Sequence, residues 1–167
     1  MQKSILFKKA KVNFSDTGRG RVVVLLHGFL GSHKIWDKTT LNLSTSYRVI
    51  AIDLPGHGST DNFGYVHTMD LMARCVKAVL ESLNLKRYVI IGHSMGGYVG
   101  LAFAELFPDN LRGLCLFHST AYADTEEKKV DRNRAIKIVK RNPNMYTTEV
   151  IKNLFATRKV NRLKTEI

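Results

Sequence analysis

The chain reads as short, uninterrupted apolar runs separated by stretches with helical spacing. Arg21 to Leu26 (RVVVLL), Arg48 to Leu54 (RVIAIDL), Arg87 to Ile91 (RYVII) and Leu111 to Phe117 (LRGLCLF) are β-branched and continuous rather than alternating. That is the pattern of strands buried on both faces. Residues 4 to 14 alternate loosely and close at Asp16-Thr17-Gly18, which predicts an edge hairpin with the next strand, Arg21 to Leu26. Between the runs, Leu71, Cys75, Val76, Val79, Leu80 and Leu83 recur at three-to-four spacing. They come after Thr68, a good N-cap, and stop at Asn84, which tolerates the left-handed conformation. A second helix is predicted from Gly96-Gly97 through Val99, Leu101, Ala102 and Leu106, ending before Pro108. Strands alternating with crossover helices define an α/β class, a mostly parallel sheet with helices on both faces.

The pattern changes near residue 124. Asp124-Thr125-Glu126-Glu127 has the spacing of a capping box, and a Lys/Arg-rich helix continues until Asn142-Pro143. A shorter helix is predicted over Thr147 to Phe155, with Val150, Ile151, Leu154 and Phe155 on one side. The expected organisation is a sheet-containing part, residues 1–124, and a helical part, residues 125–167. No strand pattern comes after it, so the alternation breaks off in mid-course.

Composition narrows the class without naming a chemistry. With 44% apolar and 24% charged residues, 167 residues can build one real core. No segment has a signal-peptide h-region or the length of a membrane span, and the chain is read as cytoplasmic. Cys75 and Cys115 stand outside any metal-ligand or redox spacing and are expected to be reduced thiols. No metal, nucleotide or flavin site is indicated, and no cofactor is expected. The formal charge of +12 is concentrated at the end, where residues 126–167 carry twelve Lys/Arg against five Asp/Glu. Without interleaved aromatics or a recognisable module, Lys128, Lys129, Arg132, Arg134, Lys137, Lys140 and Arg141 read as the wet face of a helix, and specific nucleic-acid binding is not expected.

The sharpest chemical signal is Gly92-His93-Ser94-Met95-Gly96, a G-x-S-x-G directly after a predicted strand and before a predicted helix. A tight strand-to-helix turn forces the serine into a strained backbone conformation, and side chains two residues to either side would clash. Ser94 is expected to be the nucleophile, pushed out at the carboxyl edge of the sheet. Attack on a carbonyl creates an oxyanion, which needs two backbone NH groups already aimed at it. Met95 would supply one. Phe29, in His27-Gly28-Phe29-Leu30-Gly31 after the first core strand, would supply the other, and Phe29, His93 and Met95 are expected to line the substrate site.

In this order, LLHGF, AIDLPGHGST and IGHSMGG resemble the α/β-hydrolase superfamily over about residues 20 to 120. The resemblance implies the α/β-hydrolase fold, a small-molecule acyl substrate, and architectural rather than chemical roles for Asp53 and His57. It implies packing for Trp36 and loop shaping for His27. The family's acid and histidine come after the nucleophile on loops that succeed the last two strands. Neither strand has a counterpart here, and residues 125–167 resemble the start of the helical lid, so the chain is expected to be an N-terminal portion with little activity alone. His118 and Asp124 are candidate substitutes for the base and acid. The strand 111–117 would be left as an open apolar edge, expected to pair with a second copy or a complementing C-terminal segment. The resulting expectation is a serine hydrolase of carboxylic esters or related acyl compounds. A lyase similar to the menaquinone-pathway synthase, or a carbon–carbon hydrolase, is the alternative, although the synthase has Arg where this chain has Tyr98. A noncatalytic interaction module is the third.

Overall fold

The computed structural model describes residues 2–142, 146 and 147. Two compact units are present, Met1–Ala121 and Tyr122–Ile167. The first is built on six strands, β1 (Gln2–Phe7), β2 (Ala10–Thr17), β3 (Val22–Leu26), β4 (Arg48–Ile52), β5 (Tyr88–His93) and β6 (Leu111–Phe117). Their spatial order is β1-β2-β4-β3-β5-β6. Pairings among β3, β4, β5 and β6 are parallel, whereas β1 with β2 and β2 with β4 are antiparallel. The continuous apolar runs are therefore the parallel strands, and all five residues of central β3 are buried.

Alternate residues of β3 feed two separate cores. Val22, Val24 and Leu26 pack with Ile50, Ile52, Ile90, Phe103 and the apolar face of α2 (Met69–Ser82). Val23 and Leu25 face the other way, onto Trp36, Val49 and Ala51. Trp36 closes a 3₁₀ turn, His33–Trp36, that leads into α1 (Asp37–Leu43). The predicted ends of α2 hold: the Thr68 hydroxyl accepts the Leu71 NH at 3.1 Å, and Asn84 is left-handed at φ 56°. Of the two thiols, Cys75 is buried in the α2 core and Cys115 is exposed on β6.

One predicted pairing differs. Residues 4 to 14 do not form a single strand paired with β3. They split at Lys8-Lys9 into β1 and β2, which pair with each other. Both lysines have positive φ, 49° and 69°, the geometry of a two-residue hairpin turn that normally announces itself as Asn-Gly. β2 then lies against β4 rather than β3. There the Asp16 carboxylate takes Arg48 through Nε and Nη2, both at 2.9 Å, and Lys3 Nζ at 2.7 Å.

The hydrogen bond from Arg48 is the main cause that lowers Asp16 from 3.8 to about 2, against the cost of its burial. A carboxylate depressed on folding stabilises above its unfolded value and loses that contribution as pH falls through the folded one. The expected result is that acidification from about pH 4 to pH 2 costs about 2 kcal/mol through this group. Asp16→Asn should flatten that limb of a urea-denaturation pH series, and an unchanged limb would contradict the assignment.

In the second unit, α4 spans Glu126–Arg141. The cap sits one residue later than the capping-box spacing suggests, because the Thr125 hydroxyl, not Asp124, accepts the Lys128 NH. Asp124 is engaged by Arg132 through Nε at 2.5 Å and Nη2 at 3.1 Å. The helix predicted over Thr147 to Phe155 lies, beyond Thr147, outside the described residues.

Candidate active site

β5 ends at His93, α3 begins at Met95 and runs to Leu106, and Ser94 makes the turn between them at φ 50°, ψ −114°. A serine at a helix N-cap ordinarily turns its hydroxyl back to accept an NH of the first turn. Ser94 does not: its side chain makes no cap hydrogen bond. The residue is half-buried, and no described residue bonds its hydroxyl. Its positive φ is a backbone conformation that non-glycine residues rarely adopt.

Two NH groups near the turn are without acceptors among the described residues. Met95 is the first residue of α3, where the geometry leaves NH groups without intrahelical acceptors. The Phe29 NH likewise has no acceptor among the described residues. Phe29 lies in a tight turn closed by the Gly31 NH on the Gly28 carbonyl at 3.1 Å, with Leu30 left-handed at φ 60°. The turn presses on the serine: a Cβ built on Gly28 would lie 3.2 Å from Ser94 Cβ and 2.8 Å from His93 Nδ1.

His27 holds this turn against the next loop. Fully buried, it donates from Nδ1 to the Gly28 carbonyl at 2.8 Å and accepts the Leu54 NH on Nε2 at 2.9 Å. Accepting the Leu54 NH on Nε2 requires a neutral ring. Burial pushes its pKa down from 6.5 to about 4, partly offset by the bond to Gly28. A histidine depressed on folding loses stabilising effect as pH falls from its unfolded value through its folded one. In an NMR titration the His27 ring should stay neutral from pH 7 to about pH 5; a midpoint near 6.5 would break the strut. His57 packs on His27 with ring centres 5.2 Å apart and meets the Phe29 ring edge-on at 5.9 Å.

Asp53 is also structural. Its buried carboxylate accepts the His33 NH at 2.7 Å, His33 Nδ1 at 2.9 Å and the Ser59 NH at 3.0 Å. Burial alone would raise its pKa, but the backbone NH groups of His33 and Ser59 and the His33 ring together hold it low.

The remaining candidates divide. His93 turns into an aromatic cluster with Trp36 and Phe117, at 6.4 and 5.9 Å, and its Nδ1 is buried without a partner among the described residues. Burial, then the neighbouring His118, push its pKa down. His118 comes directly after β6, exposed and left-handed at φ 46°, with its ring 6.2 Å from that of His93. It makes no hydrogen bond among the described residues. Asp124 belongs to the other unit, where Arg132 chiefly holds its carboxyl low. The sequence pattern does not single out Ser119, whose hydroxyl donates to the Ser94 carbonyl at 2.8 Å, nor the His33–Asp53 pair. Among the described residues no cluster of three or more His, Cys, Asp or Glu could hold a metal ion, and no helix is long and apolar enough to cross a membrane.

Comparison with known proteins agrees with this fold. A family model described as alpha/beta hydrolase fold matches residues 21–159. A 2-hydroxy-6-oxononadienedioate/2-hydroxy-6-oxononatrienedioate hydrolase of Paraburkholderia phymatum is 37% identical over 112 residues, covering 64% of this chain and 39% of that protein. A serine hydrolase-like protein of Danio rerio is 34% identical over 109 residues, covering 64% and 33%. The solved structure of a thermophilic esterase from Thermogutta terrifontis superposes with a TM-score of 0.85 at 32% identity, covering 99% of this chain and 63% of that one. The chain thus spans about two fifths or less of the length of these curated relatives.

Proposed function

Because the chain belongs to the alpha/beta hydrolase fold family, we propose that it carries the nucleophile and oxyanion hole of a serine hydrolase acting on carboxylic esters or related acyl compounds. The observation that carries this reading is Ser94 itself, a strained N-cap serine whose hydroxyl does not cap its helix and whose Cβ closely approaches the glycine that precedes Phe29. The Ser94 oxygen attacks the acyl carbonyl. The carbonyl oxygen becomes an oxyanion held by those two NH groups, aided by the positive end of α3. The alkoxide leaves with a proton, and water then releases the acid from Ser94. An unassisted serine is a poor nucleophile, so base and acid must join it; His118 is the histidine candidate, and Asp124 is less suited while Arg132 occupies it. Phe29 and Met95 line the acyl site in this reading, whereas His93 is turned into the aromatic cluster with Trp36 and Phe117.

The test is covalent. In an enzyme complete with its base and acid, a fluorophosphonate should add to the peptide bearing Ser94, read by mass spectrometry, and addition elsewhere or nowhere would count against the proposal. The similarity to hydrolases of 2-hydroxy-6-oxononadienedioate favours carbon–carbon bond hydrolysis as the second reading. Parallel assays with p-nitrophenyl esters and a vinylogous 1,5-diketone acid distinguish the two. Turnover of neither, together with an inert Ser94, would favour a noncatalytic module. For partners, the proposal is a second copy or a complementing C-terminal segment along β6, the edge strand opposite β1 among the described residues, where Cys115 and Phe117 are exposed. A monomer by light scattering that binds no such segment would exclude it.

A further inference from the structure

Ser94 holds a backbone conformation that non-glycine residues rarely adopt, and such strain persists only where the surroundings over-determine it. The bonds that do so come largely from one place. The Ser94 NH donates to the Phe117 carbonyl at 3.1 Å, and the Ser94 carbonyl accepts the Ser119 hydroxyl at 2.8 Å. Both backbone polar groups of the serine are thus gripped by Phe117, which ends β6, and by Ser119 just beyond it. The grip depends on His118 between them, whose left-handed φ of 46° lets the Phe117 carbonyl and the Ser119 side chain converge on one residue. The remaining bond, the Gly97 NH on the same Ser94 carbonyl at 2.9 Å, belongs to the helix start. Ser119 also accounts for the second glycine of the pair, since a Cβ on Gly97 would lie 2.6 Å from Ser119 Cβ and closer still to its hydroxyl.

We infer that Ser119 is a positioning residue for the nucleophile: its hydroxyl, with the Phe117 carbonyl, clasps the Ser94 backbone so that the serine side chain stays aimed at the substrate position. This rests on the reading of Ser94 as nucleophile for its chemical consequence, but the clasp itself can be measured without catalysis. The bond joins residues 25 apart in sequence, on the ends of two neighbouring parallel strands. It therefore fixes the height at which β5 delivers the serine relative to β6. Loss of the hydroxyl leaves the Ser94 carbonyl with the Gly97 NH alone and frees the turn to relax toward an ordinary N-cap, in which the Ser94 side chain would fold back onto α3.

Two readouts on Ser119→Ala and Ser119→Thr separate the possibilities. Amide hydrogen exchange measured by NMR should show the Ser94 NH exchanging at least about fivefold faster in Ser119→Ala, with the global unfolding midpoint little changed and the parent rate regained in Ser119→Thr. Fluorophosphonate capture should slow about tenfold in Ser119→Ala, in the maximal rate rather than in the concentration for half-saturation. Unchanged exchange at Ser94 overturns the clasp. Faster exchange with undiminished capture overturns the positioning role. Faster exchange in a protein whose parent shows no capture supports the clasp and rejects the nucleophile reading, so the two failures are distinct.

Discussion

Ser94→Ala is expected to abolish covalent capture by a fluorophosphonate and, in an enzyme complete with its base and acid, to lower ester turnover by about 10⁶-fold, some 8 kcal/mol of transition-state stabilisation. The size of the effect stems from what the residue does not do. Its hydroxyl caps no helix and bonds no described residue, so removal takes away chemistry and almost nothing else. Stability should stay within about 0.5 kcal/mol of the parent, as for substitutions that break no packing or hydrogen bond. Loss of capture accompanied by a lowered unfolding midpoint would mean that the hydroxyl supports the fold. Retained capture would place the nucleophile elsewhere.

Gly28→Ala should cost about 10²- to 10³-fold in kcat, the effect of losing one oxyanion donor, with KM nearly unchanged. The alanine methyl would lie 2.8 Å from His93 Nδ1 and 3.2 Å from Ser94 Cβ. Neither neighbour can retreat easily. His93 is wedged among Trp36, Phe117 and His118, and Ser94 is fixed by its backbone bonds to Phe117 and Ser119. The turn bearing Phe29 must move outward instead, and its NH leaves the position where charge develops. Overpacking of this kind also costs about 1–3 kcal/mol of stability. A steady-state comparison with the parent checks it: an unchanged kcat would mean that the Phe29 NH is not part of the hole, and a rise in KM alone would assign the turn to ground-state binding.

Much of this is legible because sterics write directly into sequence. The run VVVLL must be buried on both faces, and it is the central strand. Glycines at 92 and 96 around a serine between strand and helix signal the sharp turn, and the serine has the positive φ it implies. What stays hidden has equally physical causes. Lys8-Lys9 adopt a hairpin turn that usually selects Asn-Gly, so composition offers no punctuation and the segment reads as one continuous strand. Asp124 and Thr125 are both competent caps, and only the competing ion pair with Arg132 decides that the threonine takes the helix. Ser119 leaves no local trace, since its partner is 25 residues away and a hydroxyl-to-carbonyl bond has no period. The His33–Asp53 contact is likewise made by tertiary packing between loops of two strands.

Among the described residues, three of the six non-glycine positions with positive φ, Leu30, Ser94 and His118, stand around the same rim. Each carries roughly 1–3 kcal/mol of conformational tension, so this rim is where the protein is least optimised for endurance. Laboratory selection for heat resistance would find easy gains there, with glycine at position 30 or 118 among the first. The same gains would slacken the turns that present the hydroxyl and the amides, and a hardier lineage would emerge as a poorer catalyst.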